Sequence, residues 1–235
     1  MFTLDSVVPW GRSFDEYRRM FALTEDDLGR RMLGCGDGPA SFNAEATRQG
    51  CRVTSCDPLY GFDRSHIEAR ISATYDQVLA QARLNAHEFV WGAGIRDVEE
   101  LGRVRMAAMQ TFLDDYEASQ RETRGVDLYG PRYVDASLPT LPFDHGAFDL
   151  ALCSHFLFLY STQLGEEFHL AALREMCRVA AEARVFPLLE LGGTRSPFVD
   201  TCLNDLRRAG FDVAIERVPY EFRRGGNEML RVRLP

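Results

Sequence analysis

Three glycines at alternate positions interrupt residues 32–45, MLGCGDGPASFNAE, just before a run with helical spacing. Glycine lets the backbone approach a ligand where a Cβ would collide, and such a loop directs free N–H groups at that ligand. Pro39 fits the first turn of the helix and Gly50 its C-terminal end. The next segment, CRVTSCD, alternates and is rich in β-branched residues, which indicates a strand that ends at Asp57. Strand, glycine loop, helix and strand make a βαβ unit, which predicts a parallel sheet.

The rest of the chain extends this unit. Residues 13–28 predict two short helices, the first capped by Ser13, and residues 65–122 predict two longer helices before the next strand. Continuous apolar runs in FDLALCS and ARVFPLLEL are typical of strands buried on both faces. The segments FDVAIERV and NEMLRVRL indicate a closing hairpin. One face of the second long helix carries Leu101, Val104 or Arg105, Ala108, Phe112 and Tyr116.

These elements predict an α/β fold: a doubly wound, mostly parallel, seven-stranded Rossmann-like sheet with helices on both faces and an antiparallel last strand. Residues 1–29 would form an N-terminal helical cap. Residues 65–130 would form a helical insertion, or lid, between strands 2 and 3, because a crossover usually needs only one helix. Since the chain has no internal repeat and no low-complexity linker, residues 1–235 are expected to form one domain.

The composition limits the classes of molecule that the protein is expected to bind. A net charge of −8 argues against general nucleic-acid binding, which depends on clustered Lys and Arg, so a small or neutral partner is expected. The start MFTLDSVVPWGR lacks a signal-peptide pattern and the longest uncharged run is too short to span a bilayer, so we expect a cytoplasmic protein without membrane contact. The six cysteines form no C-x-x-C pair, which predicts reduced thiols and no metal site. The oligomeric state stays open.

Two ligand classes use a glycine loop of this kind. In the dinucleotide fingerprint the third glycine would stand where Pro39 is, so a nicotinamide oxidoreductase is disfavoured. Gly38 instead makes the spacing G-x-G-x-G, which in an open α/β sheet more often binds S-adenosylmethionine. The segments LGCGDG, CDPLY and VDASLPTLPFDHGAFDLALCSHFLF, in this order, resemble the class I S-adenosylmethionine-dependent methyltransferases. The resemblance covers about residues 30–235 in element order.

The resemblance implies S-adenosyl-L-methionine as the cofactor and S-adenosyl-L-homocysteine as the product. It implies cofactor contacts by Gly34, Gly36 and Gly38 beside the methionine part, Asp57 and Pro58 at the ribose, Asp135 and Ala136 at the adenine, and Ser154 near the sulfonium. The family usually carries an acid two residues before the first glycine, where this chain has Met32. Asp37 inside the loop, and Tyr17 and Arg12 from the N-terminal segment, are the candidates to serve that part of the cofactor.

Methyl transfer is an in-line displacement at a carbon activated by a positive sulfur, so the protein supplies alignment, desolvation and sometimes a base. His155 follows strand 4 at the ligand edge of the sheet and is the candidate base, although a histidine there also packs or hydrogen-bonds a cofactor. Tyr220, before the last strand, is a second catalytic candidate. Trp10 and Trp91 are candidates for an apolar acceptor pocket.

The sequence thus predicts an enzyme that transfers a methyl group from S-adenosylmethionine to a small-molecule acceptor. Two alternatives stay open. The first, motivated by Met32, is an enzyme of this fold that cyclises or cleaves the cofactor without methylation. The second is a non-catalytic protein that binds an adenosyl ligand, which the lack of a sharp catalytic dyad allows.

Overall fold

The computed structural model describes residues 2, 7–92, 94–122 and 130–234. Within these residues the chain forms a seven-stranded sheet flanked by helices. The strands are β1 (Arg31–Cys35), β2 (Arg52–Cys56), β3 (Tyr133–Val134), β4 (Phe148–Ser154), β5 (Ala180–Phe186), β6 (Asp212–Arg217) and β7 (Glu228–Arg233). The helices are α1 (Phe14–Met20), α2 (Glu25–Leu28), α3 (Phe42–Arg48), α4 (Arg64–Leu84), α5 (Val98–Glu122), α6 (Glu166–Val179) and α7 (Val199–Arg208).

The strand order is β3-β2-β1-β4-β5-β7-β6. Neighbouring strands run parallel except at β7, which is antiparallel to both β5 and β6. The predicted doubly wound sheet with an antiparallel last strand is therefore confirmed. Met32 in β1 pairs with Val53 on one side and with Leu150 on the other, so the strand order reverses at β1. Open α/β sheets bind their ligands at such a reversal.

The helical segments lie where the sequence predicts them. Capping boxes at Ser13 and Thr24 begin α1 and α2 in the N-terminal cap. Helices α4 and α5 pack together and form the insertion between β2 and β3. Residues 1 and 3–6 of the cap and residues 93 and 123–129 of the insertion lie outside the described residues. That residues 1–235 form one domain stays a prediction.

Two predicted boundaries are wrong. The helix after the glycine loop begins at Phe42 and not at Pro39. Gly38 turns the chain with φ +52°, so Pro39 still belongs to the turn and the helix starts only after it. Strand β5 ends at Phe186, although its apolar run continues, because Pro187 has no N–H to donate to a neighbouring strand.

The residues of β1 alternate between two apolar cores. Leu33 and Cys35 belong to the core that also contains residues of α6 and α7. Met32 is fully buried in the second core, with Phe14 from α1 and Phe42 from α3. An acid at position 32 would therefore lose its water among apolar side chains. Among the described residues, no helix is both long enough and apolar enough to cross a membrane.

Candidate functional site

A cavity of about 350 Å³ lies at the carboxyl edge of the sheet, beside the point where the strand order reverses. This volume is in the range of small-molecule sites. Its walls come from the glycine loop, the ends of β2, β4 and β5, the N-terminal segment, the insertion and the loop before β7. Ten of the twelve predicted site residues line it: Arg12, Tyr17, Gly36, Gly38, Asp57, Pro58, Ala136, Ser154, His155 and Tyr220.

The glycine loop turns sharply at Gly36 and Gly38, with φ values of +65° and +52°. The Gly36 N–H donates to the Cys56 carbonyl oxygen at 2.9 Å, and the Gly38 N–H donates to Oδ2 of Asp57 at 2.9 Å. The expectation that these two glycines present free N–H groups to a ligand is therefore wrong. Both glycines allow the positive φ, and at Gly36 there is also no room for a side chain, because a Cβ there would come within 3.0 Å of the Phe156 ring.

Asp57 ends β2 with its carboxylate fixed by the backbone. Its Oδ2 accepts from the Gly38 N–H at 2.9 Å and its Oδ1 accepts from the Leu59 N–H at 2.8 Å. Each oxygen has a second lone pair for a ligand donor. Burial raises the pKa of Asp57, although these two hydrogen bonds act in the opposite direction. The arrangement can accept hydrogen bonds from two neighbouring hydroxyl groups.

Asp37 supplies a buried acid at the end of β1. Its Oδ1 accepts from the Tyr17 hydroxyl at 2.8 Å and its Oδ2 accepts from the Ser55 hydroxyl at 2.6 Å. The carboxylate lies over Gly34, where a Cβ would come within 1.7 Å of Oδ2. Burial raises the pKa of Asp37 to about 6, against the effect of the two hydroxyl donors. Gly34 is therefore needed to make room for the acid that Met32 does not provide.

Gly34 and Asp135 are the two predicted site residues outside the cavity lining. Gly34 lies beneath Asp37. Asp135 directly follows β3, as predicted, but it is exposed, and its carboxylate packs beside Gly61, where a Cβ would lie 2.6 Å from Oδ2. The structure does not bring Asp135 to the cavity wall, and its adenine role stays a prediction without support from the cavity geometry.

Glu16 joins three segments around the cavity, and the sequence analysis missed it. This buried carboxylate of α1 accepts two hydrogen bonds from Arg105 of α5, and its Oε1 accepts from the Tyr220 hydroxyl at 2.8 Å. Burial raises the pKa of Glu16, but the neighbouring guanidinium groups of Arg105 and Arg12 outweigh this and lower it to about 2. The one indication in the sequence is that the apolar face of α5 continues through either Val104 or Arg105, so that Arg105 is a candidate buried residue.

Arg12 places a guanidinium at the cavity, close enough to the Glu16 carboxylate to lower the pKa of that carboxylate. Its Nη1 donates to the Trp10 carbonyl oxygen at 3.0 Å, while its Nε is buried without a hydrogen-bond partner. Among the residues that the structure describes, no carboxylate forms an ion pair with Arg12. Burial lowers the pKa of Arg12 to about 10, and the nearby Arg105 contributes. A buried cation of this kind favours a ligand that carries an anionic group.

His155 lies at the end of β4 with φ +51°, and its Nδ1 is 3.0 Å from the Ser154 hydroxyl. Burial lowers the pKa of His155 well below its usual value, and the charges of Arg12 and Arg105 lower it further. The imidazole is therefore neutral at pH 7, and the same surroundings disfavour its protonated form. The Tyr220 hydroxyl, in contrast, is donated to Glu16, and burial raises its pKa.

The remaining wall is an apolar chamber, defined by Phe2, Trp10, Val78, Phe89, Leu101 and Phe222. Phe89 stacks on Phe222 with ring centroids 5.0 Å apart, and Trp91 meets Phe222 edge-on at 5.6 Å. Trp10 thus lines the cavity as predicted, whereas Trp91 contacts it through Phe222. Among the described residues, no group of three or more His, Cys, Asp or Glu side chains is arranged to hold a metal ion.

No family model matches the chain. Its fold is similar to magnesium protoporphyrin IX methyltransferase from Synechocystis PCC 6803, with 13% identity, coverage of 94% of this chain and 91% of that chain, and a TM-score of 0.44. It is also similar to 1,6-didemethyltoxoflavin-N1-methyltransferase from Burkholderia thailandensis, with 16% identity, coverage of 88% and 71%, and a TM-score of 0.44. At these identities the likeness concerns the fold alone. The strand order with an antiparallel β7 is the one that the sequence predicts.

A likeness in sequence extends over nearly the whole chain. The uncharacterised protein MJ0045 of Methanocaldococcus jannaschii is 32% identical over 231 residues, which cover 98% of this chain and 97% of that protein. The alignment therefore extends over nearly the whole length of both proteins. On this relationship, the chain belongs to the same protein family as MJ0045.

Proposed function

We propose that this protein binds S-adenosylmethionine in the cavity and transfers its methyl group to a small-molecule acceptor. The observation that carries the proposal is the continuity of one cavity. Its glycine-loop end holds Asp37 and Asp57, its other end is the apolar chamber, and the neutral His155 lines the same cavity. Cofactor and acceptor would thus meet in one continuous space, which allows the in-line approach that a displacement at a sulfonium methyl group requires.

The residues present fit the cofactor at both ends of its amino-acid part. Asp37 is an acceptor for an ammonium group, and the unpartnered Nε of Arg12 is a donor for a carboxylate. The fixed carboxylate of Asp57 suits the two ribose hydroxyls. Pro58 and Ala136 would line the adenine side. The acid that Met32 lacks is thereby supplied from a neighbouring position.

When bound, S-adenosylmethionine supplies a methyl group that its positive sulfur already activates. The chain's own residues then hold the acceptor in line and accept its proton. His155 is the base in this proposal, because it is neutral and Ser154 fixes Nδ1. Tyr220 holds the loop before β7 at the cavity wall through its hydrogen bond to Glu16, and it does not exchange a proton.

The test is calorimetric titration with S-adenosylmethionine, S-adenosylhomocysteine and NAD⁺ on the wild-type protein, Asp57→Asn and a matched control, Asp26→Asn. Asp26 is exposed on α2, away from the cavity lining. We expect both adenosyl ligands to bind, NAD⁺ not to bind, and Asp57→Asn to weaken adenosyl binding by about tenfold or more while Asp26→Asn has no effect. Absence of adenosyl binding by the folded protein contradicts the proposal.

Product analysis distinguishes methyl transfer from the two alternatives, use of the cofactor without methylation and binding without catalysis. Mass spectrometry of S-adenosylmethionine incubated with the protein alone would reveal cyclised or cleaved products if the protein uses the cofactor without an acceptor. Binding without conversion in the presence of any acceptor would indicate a non-catalytic protein. Production of S-adenosylhomocysteine that depends on an added acceptor is the expected outcome for methyl transfer.

A further inference from the structure

The charges along the cavity wall are unevenly distributed. Among the described residues that line it, the two carboxylates, Asp37 and Asp57, both lie at the glycine-loop end, and Arg70 is close enough to Asp57 to lower its pKa. Beyond that end, the charged lining residues are Arg12 and Arg223. Among the described lining residues, the part of the cavity beyond the glycine loop therefore has cationic side chains and no carboxylate.

Arg223 is held in a fixed position at the apolar chamber. Its Nη2 forms an ion pair with Glu88, and its guanidinium lies 5.7 Å from the centroid of the Phe89 ring. Its Nε is buried without a hydrogen-bond partner, and the side chain is 13% exposed. Gly193, at φ +83°, leaves room for the guanidinium, since a Cβ there would lie 2.8 Å from Nε.

This environment suits one kind of ligand group. A guanidinium has five N–H donors in a rigid plane, and Glu88 occupies only part of them. The donors that remain are next to aromatic rings, where few water molecules compete, so a ligand oxygen with negative charge gains most from them. The stacked rings of Phe89 and Phe222 favour a flat apolar body beside that charge.

We propose that the acceptor is an organic acid with a flat apolar body, whose ring occupies the apolar chamber and whose anionic group pairs with Arg223. This proposal rests on the proposed function only in identifying the bound organic acid as the methyl acceptor. The binding preference itself concerns only the chamber and Arg223. The two are therefore separable by experiment.

The experiment uses three probes that share one apolar body and differ in charge: 3-phenylpropionate, 3-phenylpropionamide and 3-phenylpropylammonium. The chain has two tryptophans, and Trp10 lines the chamber while Trp91 contacts Phe222. Tryptophan fluorescence therefore reports chamber occupancy without any turnover. We expect the wild-type protein to bind the acid about tenfold or more tightly than the amide, and the ammonium compound more weakly than either.

The variants are Arg223→Gln, Arg223→Lys and the matched control Arg224→Gln. Arg224 is the neighbouring residue but is exposed, and its Nε donates to the His87 carbonyl oxygen. Arg223→Gln should abolish the preference for the acid while retaining the affinity for the amide, which also shows that the chamber is folded. Arg223→Lys should keep part of the preference, and Arg224→Gln all of it.

Equal binding of acid and amide by the wild-type protein would overturn the inference, as would a full preference in Arg223→Gln. All titrations are made without an adenosyl ligand and repeated with S-adenosylhomocysteine. If calorimetry shows no adenosyl binding while the acid preference persists, the proposed function fails and the organic-acid site stands. If adenosyl ligands bind and the preference is absent, only the inference fails.

Discussion

Replacing Asp37 by Asn should make the protein more stable and, at the same time, a weaker binder of S-adenosylmethionine. Asp37 is 7% exposed, and burial raises its pKa from the usual 3.8 to about 6. The folded state thus binds the proton more tightly than the unfolded state, so this group makes the protein less stable as the pH rises from about 4 to 6. Each pKa unit corresponds to about 1.4 kcal/mol, so ionised Asp37 costs up to about 3 kcal/mol at pH 8.

Asn is close to Asp in shape and stays beside both hydroxyl groups, although the Ser55 hydroxyl then loses the acceptor that Asp37 provides. Its amide oxygen can accept from Tyr17, and its NH₂ group can donate to the oxygen of Ser55. Asp37→Asn should therefore raise the free energy of unfolding by up to about 3 kcal/mol at pH 8, about half of that near pH 5, and little below pH 4. For a chain of this size the gain at pH 8 corresponds to up to about 6–12 °C in Tm.

The assay is thermal and urea unfolding of wild-type protein, Asp37→Asn and the control Asp26→Asn between pH 4 and pH 8. Calorimetric titration of the same samples with S-adenosylmethionine tests the predicted loss of ligand affinity. If Asp37 holds the ligand's ammonium group, wild-type affinity should fall as the pH drops below about 6, since only the ionised carboxylate attracts it, and the variant should bind weakly at every pH. A variant that is less stable than wild type at pH 8, or that shows the same pH dependence, would refute the reasoning.

Two further predictions concern the cavity wall. Glu16→Gln leaves the buried guanidinium of Arg105 unpaired and should lower the free energy of unfolding by about 3–5 kcal/mol, as urea unfolding at pH 7 would measure. Because the pKa of Glu16 is lowered to about 2, wild-type protein should lose this stability as the pH falls from about 4.5 to 2, and the variant should not. The same decrease in unfolding free energy in both proteins over this pH range would contradict the assignment. His155→Gln should lower the methyl-transfer rate by about 10²–10⁴ without changing cofactor affinity, whereas His145→Gln, in an exposed turn, should change neither. A His155→Gln enzyme with full turnover would exclude the histidine as the base.

The sheet was predictable because its signals are local. Strand β4 coincides with the apolar run FDLALCS, and β2 ends directly before Asp57, as the alternation of CRVTSCD indicates. The carboxyl ends of parallel strands meet at one edge of the sheet, which is why the seven predicted site residues that end or follow β1 to β4 line one cavity. The boundaries at Pro39 and Pro187 were harder, because each depends on the turn that precedes or follows the proline.

The ionic contacts around the cavity were not predictable in the same way. Glu16 and Arg105 are 89 positions apart in sequence, and Tyr220 is 204 positions from Glu16. Periodicity within α5 identifies a buried position at 104 or 105, but it cannot identify the partner that makes a buried arginine acceptable. Asp135 illustrates the converse, since the sequence locates it directly after β3 but does not indicate that its side chain is exposed outside the cavity lining.

Met32 and Asp37 together explain why this chain departs from the usual acid before the first glycine. Met32 faces the core formed with α1 and α3, so an acid there would be incompatible with the packing of the N-terminal cap. Asp37 carries the acid instead, and α1 supplies Tyr17 to hydrogen-bond it. The same N-terminal segment brings Arg12 to the cavity wall. The packing of the cap against Met32 therefore disfavours an acid at position 32, while the cap supplies a hydrogen-bond partner for Asp37, the residue that the proposed function assigns to the ammonium group.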